Sequence, residues 1–145
     1  MNIALGSDHV GLQLKRAVCR HLEEAGIEFC DMGTLSEERC NYPEFAALVA
    51  NSVASGAFER GMLFCGTGVG MSIAANKIKG IRSVVCSEPY SAKLSREHND
   101  TNVLCLGSRV VGEDLAKRIV DEWLAAQFEG GRHSLRIQQI SELER

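Results

Sequence analysis

Proline is scarce in this chain, 2 residues against 14 glycines in a total of 145, which favours long regular elements joined by tight glycine turns over a loop-rich fold. No apolar run approaches the ~18 residues of a bilayer span, so no membrane partner is expected. The opening residues, Met1 to Gly6, lack the basic start and apolar stretch of a signal peptide and read as the first strand of the fold. Nor is there a basic surplus: 16 Lys and Arg stand against 19 Asp and Glu, a net charge of −3, which argues against a general nucleic-acid binder. The six cysteines, at 19, 30, 40, 65, 86 and 105, include no Cys-x-x-Cys pair and have no histidine at zinc-finger spacing, so no metal is expected. Their even number would allow three disulfides. A chain of this size with 45% apolar residues needs no such staples, and reduced cytoplasmic thiols are the better expectation. Cys19, Cys30, Cys86 and Cys105 are expected as buried, small apolar side chains.

What is present is alternation. No repeat, low-complexity stretch or linker interrupts the chain, and its length fits one domain over residues 1–145. Short β-type runs are expected at 2–6, 27–32, 61–65, 82–86 and 103–106, with amphipathic helices over 10–25, 44–55, 71–77, 91–97 and 113–127. A polar helix over 134–143 follows Gly130-Gly131. The pattern implies an α/β fold: a doubly wound, Rossmann-like, five-stranded parallel sheet with a C-terminal helical tail. Such sheets bind ligands beyond the carboxyl ends of their strands. That rule selects Ser7-Asp8-His9, the stretch from Cys65 to Gly70, and Ser87 to Tyr90. The cluster from His98 to Asn102 precedes the fifth strand, so its position alone does not bring it to that edge.

Cys65-Gly66-Thr67-Gly68-Val69-Gly70 joins a strand to a helix, and its three glycines let backbone N–H groups converge on an anion or a developing oxyanion. It is not a P-loop, because Met71-Ser72 stands where Lys and Ser/Thr are needed. It is not a dinucleotide fingerprint, which requires G-x-G-x-x-G after the first strand. A cysteine phosphatase loop would put Arg where Met71 stands. Taken alone, the spacing serves an ordinary tight turn as well as an anion cradle. A thiol at the base of such a loop has its thiolate favoured, which makes Cys65 a candidate base or nucleophile. Thr67 could donate a proton or cap the helix, and Asp8 with His9 could hold a sugar hydroxyl or cap a helix. His98 to Asn102 reads by itself as a polar turn, and His21 as structural or surface. Arg132 and Arg136, four apart, share a helical face and suit a phosphate dianion or an exposed basic helix start; Arg109 is a further cation.

Together these pieces resemble a known family. Gly6 to Gly11, Tyr42-Pro43, Cys65 to Lys77, Gly80-Ile81-Arg82, Ser95 to Asp100, Asn102, Gly107-Ser108-Arg109 and Gly131-Arg132-His133 match the ribose-5-phosphate isomerase B family, which includes the galactose-6-phosphate isomerase subunits, in order and spacing. The resemblance implies an aldose–ketose isomerase acting on ribose 5-phosphate and ribulose 5-phosphate through an enediolate, with no cofactor. It implies Cys65 as the base that carries a proton between C2 and C1, and His98 as the residue that opens the furanose ring. The backbone of Gly66, Thr67, Gly68, Val69 and Gly70 would be the anion hole, with Thr67 assisting proton transfer to oxygen. Asp8, His9 and Asn99 match substrate-binding positions, and Arg109, Arg132 and Arg136 match the basic residues around the phosphate. The resemblance also implies a homodimer or dimer of dimers with sites at subunit interfaces, which would let His98 and the tail reach a site from a neighbouring chain. Where family members usually carry Asp before Tyr-Pro, this chain has Asn41. Cys65 replaces the Ser of a glutamate-based branch and favours the cysteine mechanism.

The alternatives keep the mechanism and change the sugar to an allose, galactose or tetrose phosphate, or keep the fold and lose catalysis, as in a phosphosugar sensor. Retention of both Cys65 and His98 argues against the sensor, and the absence of a resolving cysteine partner argues against a thiol redox protein.

Overall fold

The computed structural model describes residues 1–144. Five parallel strands, β1 (Asn2–Ser7), β2 (Glu28–Asp31), β3 (Arg60–Cys65), β4 (Ser83–Val85) and β5 (Val103–Gly107), form one sheet in the order β2-β1-β3-β5-β4. Between and after them run α1 (Leu12–Glu24), α2 (Tyr42–Ala54), α3 (Val69–Ala75), α4 (Pro89–Asn99), α5 (Glu113–Ala125) and α6 (Arg132–Ser141). Helices cover both faces, so the central strands read as nearly continuous apolar runs. Their alternate residues still divide the core. Ile3, Leu5, Met62, Phe64, Leu104 and Leu106 pack with α1, α4 and α5. Ala4, Leu63, Cys65, Val103 and Cys105 pack with α2 and α3.

The order of the strands decides where the site lies. From β1 the chain turns outward to β2, and from β3 it turns the other way, past β5 to β4. The two connections diverge between β1 and β3, leaving a crevice at the carboxyl ends of that pair. Ser7-Asp8-His9 and Cys65 to Gly70 are the loops that open there.

Several boundaries depart from expectation. Helix α3 begins at Val69 rather than Met71, so Val69 and Gly70 are its first residues. Helix α4 runs to Asn99, which puts His98 and Asn99 in its last turn rather than in a loop; Asp100 then takes the left-handed conformation (φ 47°) that stops it. Helix α6 starts at Arg132. Cys30 was expected buried and is exposed, because β2 is an edge strand covered incompletely on one face. Cys86 and Cys105 are buried, Cys19 and Cys40 partly so, and all six cysteines are free thiols.

Candidate active site

Cys65 ends β3 on the α2–α3 face, 5% exposed, with its sulfur accepting a hydrogen bond from the Gly68 N–H at 3.2 Å. That contact requires the loop to double back within three residues. Gly68 makes it possible by adopting φ 81°, and an added Cβ would meet Val85 Cγ2 at 2.9 Å. Helix α3 has only seven residues, too short for a strong dipole, and the backbone N–H directed at the Cys65 sulfur is that of Gly68. Thr67 is exposed, and its hydroxyl accepts from the Val69 N–H at 3.3 Å.

Neighbouring loops close around this turn. Asp8, 6% exposed, accepts from the Gly11 N–H at 2.8 Å, while its own N–H donates to Phe64 O at 3.2 Å. The carboxylate therefore holds the first turn after β1 against the end of β3. His9 is half-buried, and its Nδ1 accepts from the Cys40 N–H at 3.3 Å, so the neutral ring carries its proton on Nε2. Arg109 is tied by its N–H to Gly66 O at 3.0 Å, and its guanidinium lies 3.6 Å from where a Gly66 Cβ would stand. Gly107 lets β5 approach the loop, since a Cβ there would meet Thr67 backbone atoms at 2.6–2.7 Å. Asp8, His9, Cys65, the residues from Gly66 to Gly70 and Arg109 thus share one edge of the sheet.

His98, Asn99, Arg132 and Arg136 stand at the other edge. Register pairs Gly61 with Val103 and Cys65 with Gly107, so the start and finish of β5 are separated by roughly 13 Å of strand. His98 and Asn99 close α4 just before that start. The end of α4 is fixed by polar contacts that are buried or partly buried: Arg96 donates to Asp100 Oδ1 (2.9 Å) and to Thr101 O, and Arg82 Nε donates to Asp100 O (2.8 Å). The Trp123 indole N–H donates to Thr101 Oγ1 at 2.9 Å from α5. Glu129 N–H donates to Glu97 O at 3.0 Å, which brings the start of α6 alongside His98. Arg132 and Arg136 are exposed. A cavity of about 610 Å³ lies at this edge between β4 and α6; it includes Asn99 but not Cys65.

Three neighbours carry no role assigned from the sequence. The Tyr42 ring covers Gly70, where an added Cβ would meet it at 2.6 Å, and its only trace in the sequence is the Tyr-Pro pair. Cys40 contacts His9 across 31 residues, with Sγ 3.8 Å from Nδ1. His133, at the start of α6, stacks on His98 with ring centroids 4.3 Å apart. Asn41 precedes α2 without a side-chain capping bond, and His21 is a structural partner of α5, 2.7 Å from Asp121.

Comparison with known proteins gives a family. The family model described as Ribose/Galactose Isomerase matches residues 3–140. The chain is 62% identical over 142 residues to ribose-5-phosphate isomerase B of Escherichia coli (strain K12), covering 98% of this chain and 95% of that protein. It superposes on Clostridium thermocellum ribose-5-phosphate isomerase B with a TM-score of 0.98 at 53% identity, covering 99% of this chain and 97% of that one. It also superposes on the Mycoplasma genitalium ribose-5-phosphate isomerase B crystallised with bound ribulose 5-phosphate, with a TM-score of 0.95 at 43% identity, covering 99% and 95%.

Proposed function

The chain belongs to the ribose/galactose isomerase family, and from that premise we propose that it interconverts D-ribose 5-phosphate and D-ribulose 5-phosphate. The observation that carries the reading is the Cys65 thiol, set at the crevice between β1 and β3 with a backbone N–H directed at its sulfur.

In the proposed reaction the Cys65 thiolate takes the proton from C2 of the open-chain aldose. Electrons move onto the carbonyl oxygen, and the enediolate is held by N–H groups of the loop from Gly66 to Gly70. The thiol returns the proton to C1, while Thr67 helps move a proton between the two oxygens. His98 opens the furanose ring beforehand. Asp8, His9 and Asn99 bind the sugar, and Arg109, Arg132 and Arg136 surround the phosphate. The chemistry asks for a base, an oxyanion stabiliser and a ring opener, and these residues supply all three.

His98, Asn99 and the two tail arginines lie at the sheet edge opposite Cys65, which supports a composite site. In this reading the chain acts as a homodimer or dimer of dimers, and a neighbouring chain brings those four residues to each Cys65. All six cysteines are free thiols, which supports work in the reducing cytoplasm. Among the described residues no helix is long and apolar enough to cross a membrane. We read residues 1–145 as a single domain built on one sheet.

A ketose assay on ribose 5-phosphate, run with and without EDTA, tests the proposal. Wild type should turn over under both conditions, and Cys65→Ala should abolish turnover while substrate still binds. No activity on ribose 5-phosphate alongside turnover of a six- or four-carbon sugar phosphate would refute the pentose assignment and keep the isomerase.

A further inference from the structure

We propose that His98, Glu129 and His133 form a binding site for a divalent transition ion of the Zn²⁺ type, and that the ion inhibits the enzyme by taking His98 out of use. The inhibitory half rests on the role proposed for His98; the binding site does not.

The three side chains come from the last turn of α4, the connection before α6 and the first turn of α6. Nε2 of His98 lies 3.5 Å, and Nε2 of His133 3.7 Å, from the same Glu129 Oε1, and one ligating atom from each residue falls within 4.8 Å of the others. Nitrogen and oxygen ligands bonded tetrahedrally to one Zn²⁺ at about 2.0–2.1 Å stand about 3.3–3.5 Å apart. The two nitrogen-to-oxygen spacings are therefore close to what an ion needs. Among the described residues no hydrogen bond joins the three groups to one another, and both imidazoles lie within ion-pair distance of the Glu129 carboxylate.

One movement is required. The imidazoles stack 4.3 Å apart at 13°, and near-parallel rings cannot both direct in-plane lone pairs at one point. The His133 side chain is 10% exposed and that of His98 36%, so within one chain His98 is the ring with more room to turn. Turning it to the ion removes it from the orientation in which it would meet the sugar. Arg132 and Arg136 nearby weaken the hold on a cation, which suits an exchangeable inhibitor better than a resident metal.

The site is tested by titrating Co²⁺, a spectroscopic stand-in for Zn²⁺, into the full-length chain. Visible bands of nitrogen and oxygen ligation are expected. Affinity should drop at least about 10-fold in His133→Ala and in Glu129→Gln, since even the loss of a supporting partner costs that much. Glu129 is exposed, so Glu129→Gln decides the matter if His133→Ala does not fold. Unchanged affinity in Glu129→Gln overturns the site. Zn²⁺ should also suppress wild-type turnover of ribose 5-phosphate, with EDTA restoring it and Glu129→Gln needing at least about 10-fold more metal. Binding without inhibition overturns the inhibitory half alone. A metal-free wild type inactive on ribose 5-phosphate overturns the functional reading, while the Co²⁺ spectra still decide the site.

Discussion

Two kinds of residue make up the proposed site, those assigned to the chemistry and those whose smallness makes room for them. A Cβ on Gly11 would stand 2.3 Å from Phe64 O and 2.8 Å from Cys65 N, and neither can give way without shifting Cys65. Gly11→Ala should lower the unfolding free energy by about 1–3 kcal/mol in urea and cut activity sharply. Gly112→Ala, with open space around it, should cost no more than about 1 kcal/mol, the loss of a better N-cap residue on α5. Thiol reactivity separates residues in the same way. Burial pushes the Cys86 thiol up to about 11 and the Cys105 thiol up to about 12, so both stay protonated and unreactive at neutral pH. Timed alkylation read by peptide mass should label exposed Cys30 and half-buried Cys40 well before either of them.

Among the elements, β1, α1 and β2 are joined by one buried cation. Lys15 on α1 is fully buried and bonds Asp31 at the end of β2 at 2.7 Å, as well as Thr34 O. Asp31 Oδ1 also accepts from the Gly33 N–H at 2.9 Å, and Gly33 O and Thr34 N bond Ser7, just before Asp8 and His9. The pair thus supports the loop that carries Asp8 and His9 from beneath. Asp31→Asn strands the ammonium in the interior and should cost about 3 kcal/mol, whereas Lys15→Met removes the charge with the chain length kept and should cost less. Urea midpoints in the reverse order would rule this account out. Element by element, the sequence was most legible where the pattern was strongest: the apolar strand cores and the amphipathic stripes of α1 and α5. Ends were less legible, because they depend on tertiary partners. Asn99 remains helical because Arg96 and Arg82 hold Asp100 in its left-handed turn, a contact from 18 residues away in the case of Arg82.

At the scale of the whole molecule the question is how two edges of one sheet serve one reaction. If each site joins Cys65 of one chain to His98 of another, Cys65→Ala and His98→Ala should each be inactive alone. Unfolded and refolded together in equal amounts, they should regain roughly a quarter of wild-type activity, since half the dimers are mixed and each mixed dimer has one intact site. A mixture as inactive as its parents would rule out the shared site. The sequence by itself determined the alternating strand and helix pattern, the glycine loop behind Cys65 and the family resemblance, because period, turn chemistry and motif spacing are local properties of the chain. Only the tertiary structure decided that β5 lies between β3 and β4, that Tyr42 covers Gly70, and that His133 and Glu129 stand beside His98. Those are meetings between residues far apart in the chain or on separate elements, fixed by how helices pack across the sheet, and no local pattern encodes them.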